Sequence, residues 1–233
     1  MATLKSSVYD AEPIPDAARA EIEALLASGD LFRYTAPGDA PVAKLEAEFA
    51  EMMGVPFALA VSSCSAALFL SLLALDVQPG DGVLIPAFTF AAVPSAVVHA
   101  GARPVLAEVD ATYRIDMADF EARLDGGGIK AVIISHMRGH TSDMDAIMAL
   151  CAARGLPVIE DAAHSLGTRW HGENIGTIGQ VGCFSFQSYK LVNGGEGGML
   201  ITGDPDIVAR AVIMSGAYEH NWKKHPVLGA SFA

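Results

Sequence analysis

The sequence predicts an α/β protein in three layers, with a mostly parallel sheet between two layers of helices. Short strands with few polar residues alternate with helices through the middle of the chain. Strands of that kind are typical of a parallel sheet that is buried on both faces. Hydrophobic residues make up 52% of the chain and charged residues 18%, a balance that favours a folded domain over a disordered one.

The elements follow in order along the chain. Amphipathic helices are expected at residues 15–28 and 42–53, each closed by a glycine in the C-cap position. The alternating part that follows consists of strands at 58–61, 82–86, 104–109, 131–135 and 157–160, and helices at 65–75, 91–100 and 144–154. Two later strands, 182–186 and 198–202, have the pattern of an antiparallel pair, and a last helix is expected at 207–214.

Charge and composition exclude several classes of function. The net charge of −12 argues against a nucleic-acid partner. Residues 57–75 and 83–102 are uncharged, but a serine cluster interrupts the first stretch and Pro86 and Pro94 the second. Each therefore predicts a strand followed by a helix rather than a membrane span. The three cysteines lack CxxC spacing and the N-terminus lacks a signal peptide's apolar core, so we expect a cytoplasmic protein.

Lys190 stands between an apolar run, residues 184–190 (FSFQSYK), and a glycine-rich turn, residues 194–198 (GGEGG). Phe184 and Phe186 alternate with Ser185 and Gln187, so one pair is expected to face the core and the other a crevice. The glycines permit positive φ and close approach to a ligand. A lone loop lysine is usually a solvated surface charge, but poor solvation at the end of a buried strand suits Schiff-base chemistry.

Asp161 directly follows the strand at 157–160, and the carboxyl end of a parallel strand is where α/β proteins bind ligands. Taken alone, a helix N-cap is the more common role for such an aspartate. With Lys190, however, a carboxylate that holds a pyridinium nitrogen predicts a pyridoxal phosphate (PLP) enzyme.

Other residues are candidates for holding the cofactor. The turn at 62–67 (SSCSAA) opens a helix and could bind phosphate, with Ser185 adding a hydroxyl, or it could be an ordinary N-cap. Phe90 could stack on the pyridine ring or pack in the core. His164 could contact the cofactor's phenolic oxygen, orient Asp161, or be structural.

A second histidine-containing cluster follows the strand at 131–135. His136, Arg138 and His140 show no metal-ligand spacing, and substrate contact and surface charge remain open for them. Arg33 and Tyr34 are weaker candidates still.

Together these motifs resemble the DegT/DnrJ/EryC1/StrS family of sugar and aminocyclitol aminotransferases, which are PLP enzymes of fold type I. The resemblance extends from about residue 42 to 216. It rests on residues 45–49 (LEAEF), 63–68 (SCSAAL), 86–90 (PAFTF), 143–147 (DMDAI), 160–164 (EDAAH) and 184–198, which occur in the family's order.

The resemblance implies roles for residues at matching positions. Lys190 would form the Schiff base and shuttle protons, and Asp161 would pair with the pyridine nitrogen. Phe90 would stack on the ring, and His164 would lie near the phenolic oxygen.

The phosphate would be held at Ser65 and Ala66, with the Ser185 hydroxyl. Relatives usually have glycine and threonine where this chain has Cys64 and Ser65. Serine keeps the hydroxyl, whereas cysteine restricts a backbone that glycine leaves free.

The resemblance further implies an aminotransferase that moves an amino group from glutamate or glutamine to a keto-sugar nucleotide or a cyclic ketone. It also implies a homodimer. The predicted organisation is an N-terminal segment (1–40), a PLP-binding large domain (41–216) and a tail (217–233) that leads toward a small C-terminal domain absent from this sequence.

Three alternatives remain open: dehydratase or lyase chemistry with PLP, a PLP-binding regulatory module without turnover, and a non-catalytic remnant. Lys190 disfavours the family's dehydratases, which have histidine at that position.

Overall fold

The predicted alternation of helices and strands is present in residues 13–31 and 40–216, which a computed structural model of the protein describes. The helices are α1 (Asp16–Ser28), α2 (Pro41–Met53), α3 (Cys64–Ala74), α4 (Ala92–His99), α5 (Met117–Asp125), α6 (Met144–Ala152) and α7 (Pro205–Met214). The strands are β1 (Phe57–Val61), β2 (Gly82–Pro86), β3 (Arg103–Ala107), β4 (Ile129–Ser135), β5 (Val158–Asp161), β6 (Arg169–Trp170), β7 (Glu173–Asn174), β8 (Val181–Ser185) and β9 (Gly198–Thr202). Arg33, Tyr34 and the predicted tail lie outside the described residues, so the division into segment, domain and tail stays a prediction.

Seven strands form one sheet in the order β1-β9-β8-β5-β4-β2-β3. The strands β3, β2, β4, β5 and β8 run parallel, and β9 is antiparallel to both of its neighbours, β8 and β1. The predicted mostly parallel sheet and the antiparallel pair around the lysine loop are therefore confirmed. Because parallel strands end at the same edge, the carboxyl ends of β2, β4, β5 and β8 lie together.

Helices cover both faces of the sheet, which confirms the three-layer prediction. On one face, α3, α4 and α7 pack over a cluster that includes Ile133 and Ile159. On the other face, α2 covers the edge of the sheet that β1, β9 and β8 form. On the same face, α5 and α6 cover a cluster around Leu84 and Ile134. Consecutive strand residues such as Ile133 and Ile134 thus enter opposite cores, as the period of two requires.

Some local structure differs from the sequence predictions. The strand expected at 104–109 ends at Ala107, and α5 and the short β6–β7 hairpin were not predicted. Asp161 is followed by turns rather than by a helix, so it is no helix N-cap. Within the described ranges, no helix is long and apolar enough to cross a membrane.

Candidate active site

A cleft of about 390 Å³ opens where β5 and β8 end beside the start of α3. A cavity of this size is in the range of small-molecule sites. Six of the seven predicted site residues line it: Ser65, Phe90, Asp161, His164, Ser185 and Lys190. The seventh, Ala66, is not part of the lining, and its backbone N–H donates to Ser63 Oγ at 3.0 Å. The roles assigned to all seven stay predictions at this point.

Asp161 lies on the cleft wall with its carboxylate held on several sides. The residue is 7% exposed. Its Oδ2 accepts a hydrogen bond from Ser135 Oγ at 2.8 Å, and its Oδ1 accepts from the Ala163 N–H at 3.2 Å and from Cys64 Sγ at 3.7 Å. A buried carboxylate with these donors is preorganised to receive a cationic partner from the cleft.

Lys190 and His164 are in direct contact across the cleft. Lys190 Nζ lies 2.7 Å from His164 Nε2. The pKa of His164 is lowered below its usual 6.5, first because the imidazole is partly buried and second because of the positive charge of Lys190. His164 is therefore neutral near pH 7 and can exchange a hydrogen bond with the lysine amine.

The start of α3 forms the third wall. Ser63 caps the helix, and Ser65 in its first turn faces the cleft together with Ser185 at the end of β8. Gly198 makes this arrangement possible, because a Cβ there would lie 2.4 Å from the Ser63 carbonyl carbon and 2.5 Å from the Cys64 nitrogen. A helix N-terminus flanked by hydroxyls attracts anions.

Phe90 supplies an apolar surface to the same cleft. The residue is 62% exposed and borders the cleft. The core-packing alternative for Phe90 is therefore wrong, and the exposed ring is available to a flat aromatic ligand.

The three candidates that follow β4, His136, Arg138 and His140, lie in two different environments. His136 is fully buried, with Nε2 3.0 Å from Glu160 Oε2, so it is neither a substrate contact nor a surface charge. Arg138 and His140 are exposed. Arg138 has a φ of 54°, a rare value for a residue with a side chain, and its N–H points to His164 Nδ1 at 3.5 Å.

Sequence reasoning missed two contacts of Asp161. Ser135 ends β4 and pairs in register with Asp161 at the end of β5. Because Ser135 and Asp161 stand at the ends of two strands that the sequence predicts, Ser135 could have been identified as a site residue from the sequence. Cys64 was noted only as a change in the phosphate turn, and its contact with Asp161 depends on how α3 meets β5.

Comparison with known proteins decides the family. The model of the DegT/DnrJ/EryC1/StrS aminotransferase family matches residues 15–230. The chain belongs to this family. The resemblance drawn from the motifs is therefore confirmed, as are the aminotransferase class and the PLP cofactor at the level of the family.

Individual relatives agree with this assignment. The chain is 40% identical over 190 residues to the UDP-N-acetyl-3-dehydro-alpha-D-glucosamine 3-aminotransferase of Acidithiobacillus ferrooxidans, covering 79% of this chain and 50% of that protein. It is 38% identical over 184 residues to the putative pyridoxal phosphate-dependent aminotransferase EpsN of Bacillus subtilis, covering 76% and 47%. An aminotransferase structure from Psychrobacter cryohalolentis superposes with a TM-score of 0.80 at 34% identity, covering 87% of this chain and 51% of that one. The chain thus spans about half the length of the curated relatives it matches.

Proposed function

We propose that this chain binds PLP in the cleft and belongs to an aminotransferase that transfers an amino group from an amino acid to a keto-sugar nucleotide or a cyclic ketone. The observation that carries the proposal is the convergence of Lys190, Asp161 and the start of α3 on one cleft. An amine, a buried carboxylate and an anion-binding helix end are the three groups that PLP needs from its protein.

The residues present fit this cofactor. Asp161 would face the ring nitrogen, Phe90 the face of the ring, and His164 the phenolic oxygen. The α3 turn at Ser65 and Ala66, with the Ser185 hydroxyl, would hold the phosphate. Since the Ala66 N–H already donates to Ser63 Oγ, we assign Ala66 a supporting part in this turn and Ser65 the direct contact.

PLP bound in such a site supplies an aldehyde that combines with amines and a protonated ring that withdraws electrons from the attached carbon. The chain's residues supply the rest. Lys190 Nζ anchors the cofactor and then carries a proton as a general base and acid. The neutral imidazole of His164 holds the position of the amine through a hydrogen bond between its Nε2 and Nζ, which lie 2.7 Å apart.

The substrate class is the part of the proposal that goes furthest beyond this chain. One relative is named as acting on a UDP-linked dehydro-glucosamine. By analogy we propose a keto-sugar nucleotide as the acceptor, glutamate or glutamine as the donor, and a homodimer as the working assembly. The chain spans about half of such relatives, so turnover is a property to test on a full-length protein as well as on these 233 residues.

Borohydride reduction in the presence of PLP tests the cofactor site. We expect one phosphopyridoxyl group per chain, located on Lys190 by peptide mass mapping. Lys190→Ala should abolish the label, and Lys130→Ala, which removes an exposed lysine at β4, should leave it unchanged. Labelling spread over many lysines would contradict the proposal.

Incubation of the PLP-loaded protein with glutamate, and separately with glutamine, then separates an enzyme that takes up amino groups from a PLP-binding module without turnover. An aminotransferase should convert bound PLP to pyridoxamine phosphate with release of the donor's 2-oxo acid, which is 2-oxoglutarate when glutamate is the donor. Tight binding with no conversion by either donor, in the full-length protein as well, would favour a regulatory module instead.

A further inference from the structure

The carboxylate of Asp161 is held from both sides by two side chains that the proposed function does not use. Ser135 reaches Oδ2 from the end of β4, and Cys64 reaches Oδ1 from the first turn of α3. The Ala163 N–H also donates to Oδ1. The three donors come from β4, from α3 and from the turn that follows β5, so together they fix the rotation of the carboxylate about its Cβ–Cγ bond.

The donors leave one acceptor direction open. An ionised carboxylate has two oxygens with about four lone-pair sites in all. Among the described residues, Oδ1 receives two donors and Oδ2 receives one. Oδ2 therefore keeps a lone pair for a further donor, and Asp161 borders the cleft where that donor would enter.

Cys64 acts in this arrangement as a thiol. The side chain is 8% exposed, and burial together with the negative charge of Asp161 raises its pKa well above the usual value. The sulfur therefore keeps its hydrogen near neutral pH and can only donate to Oδ1. A thiolate at this position would repel the carboxylate instead.

We propose that Cys64 and Ser135 are positioning residues for the ring nitrogen of the cofactor: they hold the Asp161 carboxylate so that Oδ2 faces the ring N–H. The inference rests on the proposed function, because it needs a pyridine ring in the cleft.

A purely structural role is the competing explanation. Cys64 is the first residue of α3 and belongs to the core cluster of that face, so removing its sulfur could loosen the phosphate turn. A test must therefore separate an effect on the ring nitrogen from an effect on the rest of the cofactor.

A comparison of the affinities of two forms of the cofactor separates the two effects. One is PLP, and the other is its 1-deaza analogue, in which carbon replaces the ring nitrogen. Both carry the same phosphate, aldehyde and hydroxyl, so the ratio of their dissociation constants reports the contact between Asp161 and the nitrogen. Equilibrium dialysis measures both constants for the unmodified protein, Cys64→Ala, Ser135→Ala and Cys151→Ala.

We expect the unmodified protein to prefer PLP. Cys64→Ala and Ser135→Ala should weaken PLP binding by about fivefold, in line with one lost hydrogen bond, and change binding of the analogue by less than about twofold. Cys151→Ala removes a buried thiol on α6 and should leave the ratio of the two constants unchanged.

The outcomes are distinguishable. If Cys64→Ala and Ser135→Ala weaken both ligands by the same factor, the preference for PLP survives and the positioning role is overturned, while the proposed function stands. If the unmodified protein binds PLP and the analogue equally, Asp161 does not contact the nitrogen, and both the inference and that part of the proposed function fail.

Discussion

The imidazole of His164 lies where burial and neighbouring charge act in the same direction. Partial burial disfavours the imidazolium, and the positive charges of Lys190 and Arg138 disfavour it further, whereas Asp161 opposes them. The net result is a pKa below the usual 6.5. In the unfolded chain these contacts are lost, so the unfolded protein binds a proton at His164 more readily than the folded one.

This difference predicts a pH dependence of stability. Between the lowered pKa and about 6.5 the unfolded state holds more protons, so the free energy of unfolding should fall as the pH is lowered through that window. His164→Gln should remove the part of this pH dependence that comes from His164. Urea unfolding at pH 7.5 and pH 5.5, without cofactor, should therefore show a smaller loss of stability at the lower pH in His164→Gln than in the unmodified protein.

His99→Gln is the matched control, since His99 is exposed at the end of α4. That variant should keep the pH dependence of the unmodified protein. An unchanged dependence in His164→Gln would mean that the imidazole has the same proton affinity in the folded and unfolded states.

At the scale of elements, Glu160 fixes the loop between β7 and β8. Its carboxylate is fully buried, one residue before Asp161 on β5. It accepts hydrogen bonds from the backbone N–H groups of Gly176, Ile178 and Gly179 at 2.7 to 2.9 Å. A loop without regular structure is thereby given hydrogen-bond partners inside the protein, as buried backbone groups require.

Glu160→Ala should destabilise the protein by about 3 kcal/mol or more, because it leaves three N–H groups and the His136 imidazole without an acceptor. Chemical denaturation measures this change. Glu160→Gln should lower the free energy of unfolding by less than Glu160→Ala does, since its amide keeps one acceptor oxygen.

The exposed Glu23 on α1 provides the comparison, and Glu23→Ala should change stability by less than about 0.5 kcal/mol. A small loss in Glu160→Ala would show that water replaces the carboxylate in this loop.

Elements were predictable from sequence to different degrees. The apolar strands β2, β4 and β5 follow directly from their composition, because a buried strand has no polar side to mask the pattern. The hairpin β6–β7 consists of two-residue strands with exposed or half-buried side chains, so it leaves no such pattern. In α5 the signal was present, with Asp116 as the N-cap and Phe120 and Leu124 on one face, but only those two residues are buried.

The site divides in the same way. Lys190, Asp161 and Ser65 stand at strand and helix ends that the sequence marks, so their arrival at one cleft follows from the parallel sheet. Ser135 also stands at a strand end that the sequence marks, but its hydrogen bond to Asp161 requires β4 and β5 to be neighbours in register. The contact of Cys64 with Asp161 depends on how α3 meets β5, which local sequence does not encode.

For the whole molecule, the question is whether the two faces of the sheet unfold together. The clusters on opposite faces share the same strands, and Ile133 and Ile134 of β4 are both fully buried, one in each. A strand cannot lose one core and keep the other, because its backbone hydrogen bonds hold both sets of side chains in place. We therefore expect one cooperative unit.

Ile133→Val and Ile134→Val test this expectation. Each removes one methylene from a different face and should lower the free energy of unfolding by about 1 kcal/mol, and the double variant should lower it by about the sum. Ile213→Val makes the same change at a residue of α7 that is 58% exposed, and should have an effect below about 0.5 kcal/mol. Urea denaturation followed by circular dichroism should give a single transition with the same slope for all four variants. A second transition in only one of the two single variants would show that the face it perturbs unfolds by itself. The cleft is lined by Cys64 of the helix layer and Asp161 of the sheet, so it would then open before the rest of the protein.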